Sequence, residues 1–191
     1  MRSFVVTLLD LRNAFGEVHH DLIRSTLKYH HFPDLFLEIF NNIYNGSRIR
    51  VAVNHEWTAA ILVNRGVLQG DPCSPLLFNL CFNSLMRTLL KPSLNNLGYI
   101  WGPKNSSRTS CLQFADDGAI ISSSIKNSQA LLNIYLAWCN WAKMTIKFDK
   151  CCSFGMMKRD NQYQQIEPSL GIGNNNIPTQ FRWVGCSNTW V

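Results

Sequence analysis

Residues 111–122 have the sequence CLQFADDGAIIS, in which two short apolar runs flank a pair of aspartates and a glycine. The runs 111–114 and 119–122 have the length and composition of strands, and Asp-Asp-Gly is a sequence that turns favour. The stretch therefore predicts a β-hairpin with the carboxylates of Asp116 and Asp117 at its tip. Because Asp and Gly suit turns for conformational reasons alone, the pair by itself does not establish a chemical role.

A third aspartate follows an apolar, strand-like run near the start of the chain. Residues 4–9 (FVVTLL) are β-branched and apolar without alternation, which predicts a strand that is buried on both faces and ends at Asp10. Neighbouring carboxylates oppose each other's ionisation unless a cation lies between them. If this strand lies beside the hairpin, the three carboxylates suit two Mg²⁺ ions about 3.5–4 Å apart, the arrangement used for in-line phosphoryl transfer.

Four stretches between and after these strands have helical spacing. A first helix is expected after the first strand, and a second can begin at Pro33 and stop at Gly46. Ser74 and Pro75 suit the N-cap and first turn of a third helix, which should end before Pro92. The apolar stripes predicted to face the core are Leu35, Phe36, Ile39, Phe40, Ile43 and Tyr44 in the second helix, Leu77, Leu80, Cys81, Leu85 and Leu89 in the third, and Ala130, Ile134, Trp138 and Trp141 in the fourth.

Further strand-like runs complete the secondary-structure prediction. Residues 48–53 alternate between apolar and polar positions, with Arg48 and Arg50 on the polar face, and residues 57–63 can return as their hairpin partner. Shorter apolar runs predict strands later in the chain, near residues 146–148, 152–156 and 181–184. The chain is thus expected to mix strands and helices along its whole length.

Composition limits the class of protein. At 191 residues and 46% hydrophobic, the chain can bury one sizeable core, and its formal charge of +6 fits a polyanionic partner such as nucleic acid. The seven cysteines include no C-x-x-C pair at zinc-ligand spacing, which indicates a reduced, intracellular protein, whether nuclear or cytoplasmic. No run approaches the roughly 18 apolar residues that span a bilayer, so no membrane partner is expected.

Three motifs in this order resemble the polymerase motifs of reverse transcriptases. Residues 9–15 (LDLRNAF) resemble motif A, residues 66–79 (GVLQGDPCSPLLFN) motif B and residues 114–117 (FADD) motif C. Within that family they are most similar to the motifs of non-long-terminal-repeat, LINE-like retrotransposons, with group II intron enzymes as the nearest rival. The resemblance implies an α+β fold, a polymerase palm in which helices pack on one face of an antiparallel sheet, together with part of the fingers.

The resemblance also assigns the metal and nucleotide sites. Asp10 and Asp116 would be the principal ligands of two Mg²⁺ ions, for which Mn²⁺ can substitute, and Asp117 would complete the catalytic acidic cluster. The residues implied at the incoming nucleotide are Leu11, Phe15, Gln69 and Gly70. Phe15 lies where the family keeps an aromatic gate against the ribose 2′-hydroxyl, although a core phenylalanine explains it equally well.

Two further motifs imply a proton donor and primer contacts. Residues 144–151 (MTIKFDKC) resemble motif D, whose lysine helps to protonate the leaving pyrophosphate, and Lys150 is favoured over Lys147 for that catalytic role. The sequence FRWVG near the C-terminus is similar to motif E, which grips the primer end. This similarity assigns primer or template contacts to Trp183 and Gly185.

The implied activity is RNA-directed DNA polymerisation, a two-metal transfer of nucleotides to a primer 3′-hydroxyl. Its partners would be an RNA template, a DNA primer and deoxynucleoside triphosphates, with Arg48 and Arg50 on template phosphates. Residues 1–191 are expected to form one reverse transcriptase domain, in which residues 22–75 include part of the fingers.

The pattern is expected to be incomplete at both ends, with the N-terminal fingers and the thumb missing, as in a truncated fragment of a retrotransposon polyprotein. Whether this chain polymerises by itself is therefore open. The alternative is a catalytically inactive relic or a nucleic-acid-binding protein that keeps the fold. The sequence does not define an oligomeric state.

Overall fold

The computed structural model describes residues 2–68, 70–102, 107–160 and 162–179. In chain order, its helices and strands are β1 (Phe4–Leu9), α1 (Ala14–Glu17), α2 (His20–Tyr29), α3 (Asp34–Tyr44), β2 (Arg48–Ile49), β3 (Ala52–Val53), β4 (Glu56–Trp57), β5 (Ile61–Leu62), α4 (Ser74–Leu89), β6 (Tyr99–Trp101), β7 (Ser107–Thr109), β8 (Cys111–Phe114), β9 (Asp117–Ser122), α5 (Ile125–Ala142), β10 (Cys152–Arg159), β11 (Gln162–Ile166), β12 (Gly171–Ile172) and β13 (Asn175–Asn176). Two 3-10 helices cover Pro92–Leu97 and Phe148–Lys150. No helix in these ranges is long and apolar enough to cross a bilayer.

A five-stranded antiparallel sheet forms the centre of the described structure, with the strand order β11-β10-β1-β9-β8. Along β1, Val5, Thr7 and Leu9 are buried, whereas Leu8 on the opposite face is 37% exposed. Helix α5 packs on the Thr7 side, where the hydroxyls of Thr7 and Ser128 are 3.2 Å apart, and the Leu8 side stays open. The predicted strand is confirmed, but its burial on both faces is wrong because helices cover one face.

Helix α4 packs against its neighbours through the predicted apolar stripe. Its buried residues are Ser74, Leu77, Phe78, Cys81, Phe82, Leu85 and Leu89. The helix ends before Pro92, as expected, and the Trp138 indole donates to Ser84 Oγ at 2.8 Å, which links α5 to α4. Ser74 is the first helical residue rather than the N-cap, because its hydroxyl instead donates to the Leu68 carbonyl oxygen at 2.7 Å.

Helix α5 buries a different face from the predicted one. Its buried residues are Ser128, Leu131, Leu132, Tyr135, Trp138, Cys139 and Ala142. Of the predicted stripe only Trp138 is buried, and Trp141 is 64% exposed. The prediction was wrong because two adjacent stripes of this helix both have helical spacing, so periodicity alone cannot choose between them.

Helix α3 and the hairpin after it are less buried than the rest of the described chain. Helix α3 buries only Phe40 and Tyr44. The exposed members of its predicted stripe are Leu35, Ile39 and Ile43, so that part of the prediction is wrong. Apolar spacing indicates a helix, but it does not show that another element packs against every apolar position. The predicted hairpin is confirmed as the antiparallel pairs β2–β5 and β3–β4.

His20 joins α2 to the segment that precedes α4. Its side chain is buried, Nε2 lies 3.0 Å from the Gly66 carbonyl oxygen, and the ring lies edge-on to those of Phe40 and Tyr44. Because a carbonyl oxygen only accepts, Nε2 carries the proton and donates. Burial lowers the pKa of His20 below its ordinary value, since the site disfavours the charged imidazolium. The fold therefore holds a neutral histidine at this junction.

We expect His20 to make the protein less stable as the pH falls below about 6.5, the ordinary histidine pKa. In that window the unfolded chain binds a proton that the folded chain resists, so acidification favours unfolding. His20→Gln keeps a donor for Gly66 and removes the titration. It should reduce the drop in Tm between about pH 7 and pH 5.

The exposed His55 supplies a matched control, since His55→Gln removes a histidine without touching this junction. Its Tm should fall with pH as in the parent. If His20→Gln also loses as much Tm as the parent does, His20 is not the source of the pH dependence.

Candidate active site

The pairing of β1 with β9 brings the predicted carboxylates to one end of the sheet. The two strands are antiparallel, and Leu9 pairs with Gly118. Asp10 follows Leu9 and Asp117 precedes Gly118, so both lie at the same end of the ladder. Asp116 lies in the turn that joins β8 to β9. The structure thus gathers the three aspartates at the sheet end where the sequence predicted them.

The tip of the β8–β9 hairpin is Ala115-Asp116 rather than Asp-Asp-Gly. Phe114 pairs with Asp117, which leaves a two-residue turn, and Ala115 has a φ of +50°. A non-glycine residue in this region is strained, and the side chain of Gln113 supports it by donating from Nε2 to the Ala115 carbonyl oxygen at 2.9 Å. The hairpin is confirmed, but Asp117 was wrongly placed at the tip, because it is the first residue of β9.

Asp10 is largely buried, and its carboxylate is incompletely satisfied. The side chain is 18% exposed, and Oδ2 has no hydrogen-bond partner among the described residues. The ammonium of Lys150 lies 3.4 Å from this oxygen, an ion-pair distance without hydrogen-bond alignment. Because Lys150 is more than half exposed, the pair is screened by solvent and contributes little stability. The carboxylate therefore retains the capacity to bind a cation.

The donor set suits a hard divalent cation. Carboxylate oxygens are the ligands that Mg²⁺ and Mn²⁺ prefer, and Mg²⁺ commonly takes only one or two of them, with water and phosphate oxygens completing its shell. Across the described ranges, no three His, Cys, Asp or Glu side chains are grouped closely enough to form a complete protein site. Asp10, whose Oδ2 accepts no hydrogen bond, and the two hairpin aspartates fit ions that are bound jointly with a phosphate-bearing substrate.

The segment that resembles motif D pairs beside Asp10. Leu11 and Ile146 form an antiparallel bridge, and the Lys147 N–H donates to the Asp10 carbonyl oxygen at 2.9 Å. Lys147 thus contacts Asp10 through its backbone, whereas Lys150 approaches the carboxylate with its side chain. This placement favours Lys150 as the proton donor, in line with the sequence-based preference, and that role stays a prediction.

Phe15 and Leu11 contribute differently to the predicted nucleotide site. The ring of Phe15 stacks on Phe78, with centroids 4.2 Å apart and planes 9° from parallel. Phe15 is only half-buried, so it is a packing residue that still has accessible surface. Leu11 as a whole residue is 3% exposed, and its backbone bridges to that of Ile146, so the structure places it in the core and not at a surface that a nucleotide could contact.

The loop that resembles motif B is shaped by Gly70 and Asp71, while Gln69 lies outside the described residues. Gly70 is exposed with a φ of +90°, a conformation that favours glycine. Asp71 accepts a hydrogen bond from the Cys73 N–H at 3.2 Å, and its Oδ2 lies 3.1 Å from Ser74 Oγ. Asp71 thus forms a local turn before α4, in which its side chain accepts from the N–H two residues on, as aspartates in turns commonly do.

Only some of the residues predicted to contact nucleic acid lie in the described part of the chain. Arg48 and Arg50 are exposed on the β2–β5 hairpin and beside it, as a template contact requires. Trp183 and Gly185, the predicted primer contacts, lie outside the described residues.

Known proteins are similar to this chain in sequence and in fold. Residues 2–187 match the family model described as reverse transcriptase (RNA-dependent DNA polymerase). Over 95% of its length the chain is 30% identical to the Retrovirus-related Pol polyprotein from type-2 retrotransposable element R2DM of Drosophila melanogaster, of which it covers 17%. Over 70% of its length it is 32% identical to the Pol polyprotein from type-1 retrotransposable element R2 of Nasonia vitripennis, of which it covers 12%. The chain thus spans less than a fifth of either relative.

Among solved structures, the fold is similar to apo telomerase from Candida tropicalis, truncated from its C-terminal domain. The TM-score is 0.59 at 10% identity, over 88% of this chain and 34% of that one. At that identity the likeness shows the fold alone, a palm-like mixture of helices with an antiparallel sheet. Motif order, family match and relatives agree: the chain belongs to the reverse transcriptase family, as a reverse transcriptase domain of the non-long-terminal-repeat retrotransposon type.

Proposed function

We propose that this chain supplies the catalytic palm of an RNA-directed DNA polymerase, which adds nucleotides from deoxynucleoside triphosphates to a primer 3′-hydroxyl. The observation that carries the proposal is the β1–β9 register, which puts Asp10 and the hairpin aspartates at one sheet end. The Oδ2 of Asp10 adds to it, because this buried oxygen accepts no hydrogen bond and its ion pair with the exposed Lys150 is weak enough for a metal ion to compete with it.

Reverse transcriptases use divalent metal ions, and we assign two Mg²⁺ ions to Asp10, Asp116 and Asp117. When bound, such ions activate the attacking hydroxyl and stabilise the leaving oxygen of an in-line displacement. We assign to Lys150, whose side-chain nitrogen lies 3.4 Å from Asp10 Oδ2, the role of proton donor to the leaving pyrophosphate. The residues of the chain thus provide metal ligands, orientation and one proton.

The remaining residues position the substrates. Phe15, packed on Phe78 but still accessible, is the proposed gate against a ribose 2′-hydroxyl. Gly70 leaves backbone open for the nucleotide, since a Cβ there would meet nothing within 4 Å. Arg48 and Arg50 would meet template phosphates, and the net charge of +6 supports a polyanionic partner. The inactive-relic alternative is not favoured, because all three carboxylates keep their positions at the sheet end.

Asp116→Ala should abolish specific binding of Mn²⁺, used as a paramagnetic stand-in for Mg²⁺, because it removes one of the assigned ligands. The measurement is titration of Mn²⁺ into the chain, with free ion followed by its electron paramagnetic resonance signal. Asp34→Ala, which removes an exposed aspartate from α3, should bind as the parent does. Equal binding by Asp116→Ala and the parent would show that the metal assignment is wrong.

Asp117→Ala should lower turnover roughly a hundredfold or more in a polypeptide that contains this chain and extends a primer on an RNA template. The expected loss is large because catalysis by positioned metal ions tolerates little misplacement. Primer extension is measured with Mg²⁺, and Asp34→Ala serves again as the control. Extension at the parent rate by Asp117→Ala would contradict the proposed mechanism.

Lys150→Gln should have opposite effects on metal affinity and on turnover. Removing a cation 3.4 Å from Asp10 Oδ2 should tighten Mn²⁺ binding about twofold to fivefold. Primer extension should nevertheless slow, because the proton donor is lost. Lys126→Gln, an exposed lysine at the start of α5, should change neither quantity. Weaker Mn²⁺ binding by Lys150→Gln would contradict the predicted competition at Asp10.

A further inference from the structure

Tyr135 of α5 carries a buried hydroxyl beneath the hairpin that bears the aspartates. The residue is fully buried, and its Oη has no hydrogen-bond partner within the described ranges. Burial raises the pKa of Tyr135 above its ordinary value, so the phenol keeps its proton and remains a donor. A buried hydroxyl without a partner costs stability, and its surroundings should therefore contain an acceptor.

Gln113 of β8 supplies that acceptor. Its Nε2 donates to the Ala115 carbonyl oxygen at 2.9 Å, and because a carbonyl oxygen only accepts, this contact fixes which end of the amide faces the turn. Its Oε1 is consequently turned away from Ala115. This oxygen is buried and has no donor among the residues that the structure describes. One amide thus supports the turn with its nitrogen and holds an unused acceptor inside.

Gly118 shows that the two unused atoms face the same small space. A Cβ on residue 118 would lie 3.0 Å from Gln113 Oε1 and 3.0 Å from Tyr135 Oη. Gly118 is also the partner of Leu9, the residue before Asp10. The donor and the acceptor therefore border the same space, directly behind the point where the carboxylates leave the sheet.

We propose that Tyr135 and Gln113 are positioning residues for the active-site hairpin. A small rotation of either side chain in the space beside Gly118 lets the Tyr135 hydroxyl donate to Gln113 Oε1, and the same amide holds the turn through its bond to Ala115. This relay ties α5 to the backbone that presents Asp116. In this proposal the relay acts through the geometry of the turn.

The strain at Ala115 explains why such a tie is needed. A positive φ at a non-glycine residue persists only where neighbouring contacts over-determine it. With the relay broken, the Gln113 amide gains rotational freedom and the turn can relax, which moves Asp116. The consequence for metal binding rests on the proposed function, whereas the effect on the turn does not.

Tyr135→Phe tests the relay because it removes one oxygen and keeps the ring that packs in the core. Hydrogen exchange of the segment 111–118, followed by mass spectrometry, reports the order of the turn, and Mn²⁺ titration reports the metal site. We expect about fivefold faster exchange and about fivefold weaker Mn²⁺ binding, the effect of losing one buried hydrogen bond.

Tyr44→Phe is the matched control. Tyr44 is also buried, and its hydroxyl lies 3.5 Å from Ser74 Oγ at the start of α4 rather than at the hairpin. Both readouts should stay at the parent values in this variant. A variant that loses Tm without faster local exchange at 111–118 would indicate a purely structural tyrosine and overturn the proposal.

A double-mutant cycle with Gln113→Leu keeps the test independent of any one variant. If the two side chains act as one relay, adding Tyr135→Phe to Gln113→Leu should speed exchange no further, whereas independent roles give additive effects. Additivity, or parent-like exchange in Tyr135→Phe, would overturn the proposal. If Asp116→Ala leaves Mn²⁺ binding intact, the metal assignment fails, and exchange at 111–118 still decides the role of the relay.

Discussion

The register between β1 and β9 is the constraint on which the whole proposed site depends. Because side chains alternate across a strand, Asp10 shares the open face of Leu8, while Thr7 and Leu9 face α5. A slip of one residue would turn Asp10 toward the helix and leave its charge in the core. The burial of Val5, Thr7 and Leu9 opposes that slip, so the pattern that folds the sheet also directs the carboxylate away from α5.

The end of the sheet carries an unusual concentration of unsatisfied polar atoms. In the described part of the chain, the buried side-chain atoms without a hydrogen-bond partner are Asp10 Oδ2, Gln113 Oε1 and Tyr135 Oη. Each such atom costs about 1–3 kcal/mol, and native proteins tolerate few of them. The carboxylate oxygen and the two neutral atoms can be satisfied in different ways. The carboxylate oxygen has the Lys150 ammonium 3.4 Å away and can exchange it for a metal ion, whereas the amide and the hydroxyl can satisfy each other.

The features that could be predicted from the sequence are those that the residues of one short segment specify. The strand before Asp10, the hairpin and α4 follow from runs whose composition and ends are distinctive, and the motifs identify the carboxylates. The buried face of α5 and the exposed stripe of α3 could not be predicted, because each depends on which neighbour the fold supplies. The relay could not be predicted from the sequence for the same reason. The fold brings Gln113 of β8 and Tyr135 of α5 to the same space, and neither residue is unusual in its own segment.

Gly118 looked like a turn residue in the sequence, yet it lies within β9, where the space beside it is already occupied by Gln113 and Tyr135. This has a consequence for how the sequence can diverge. Alanine at position 118 becomes less costly once residue 135 has lost its hydroxyl, and a return to tyrosine is then opposed by the new methyl group. Substitutions at these two positions should therefore be epistatic. Loss of the hydroxyl at position 135 should come before alanine at position 118, and the alanine should have to revert before tyrosine can return.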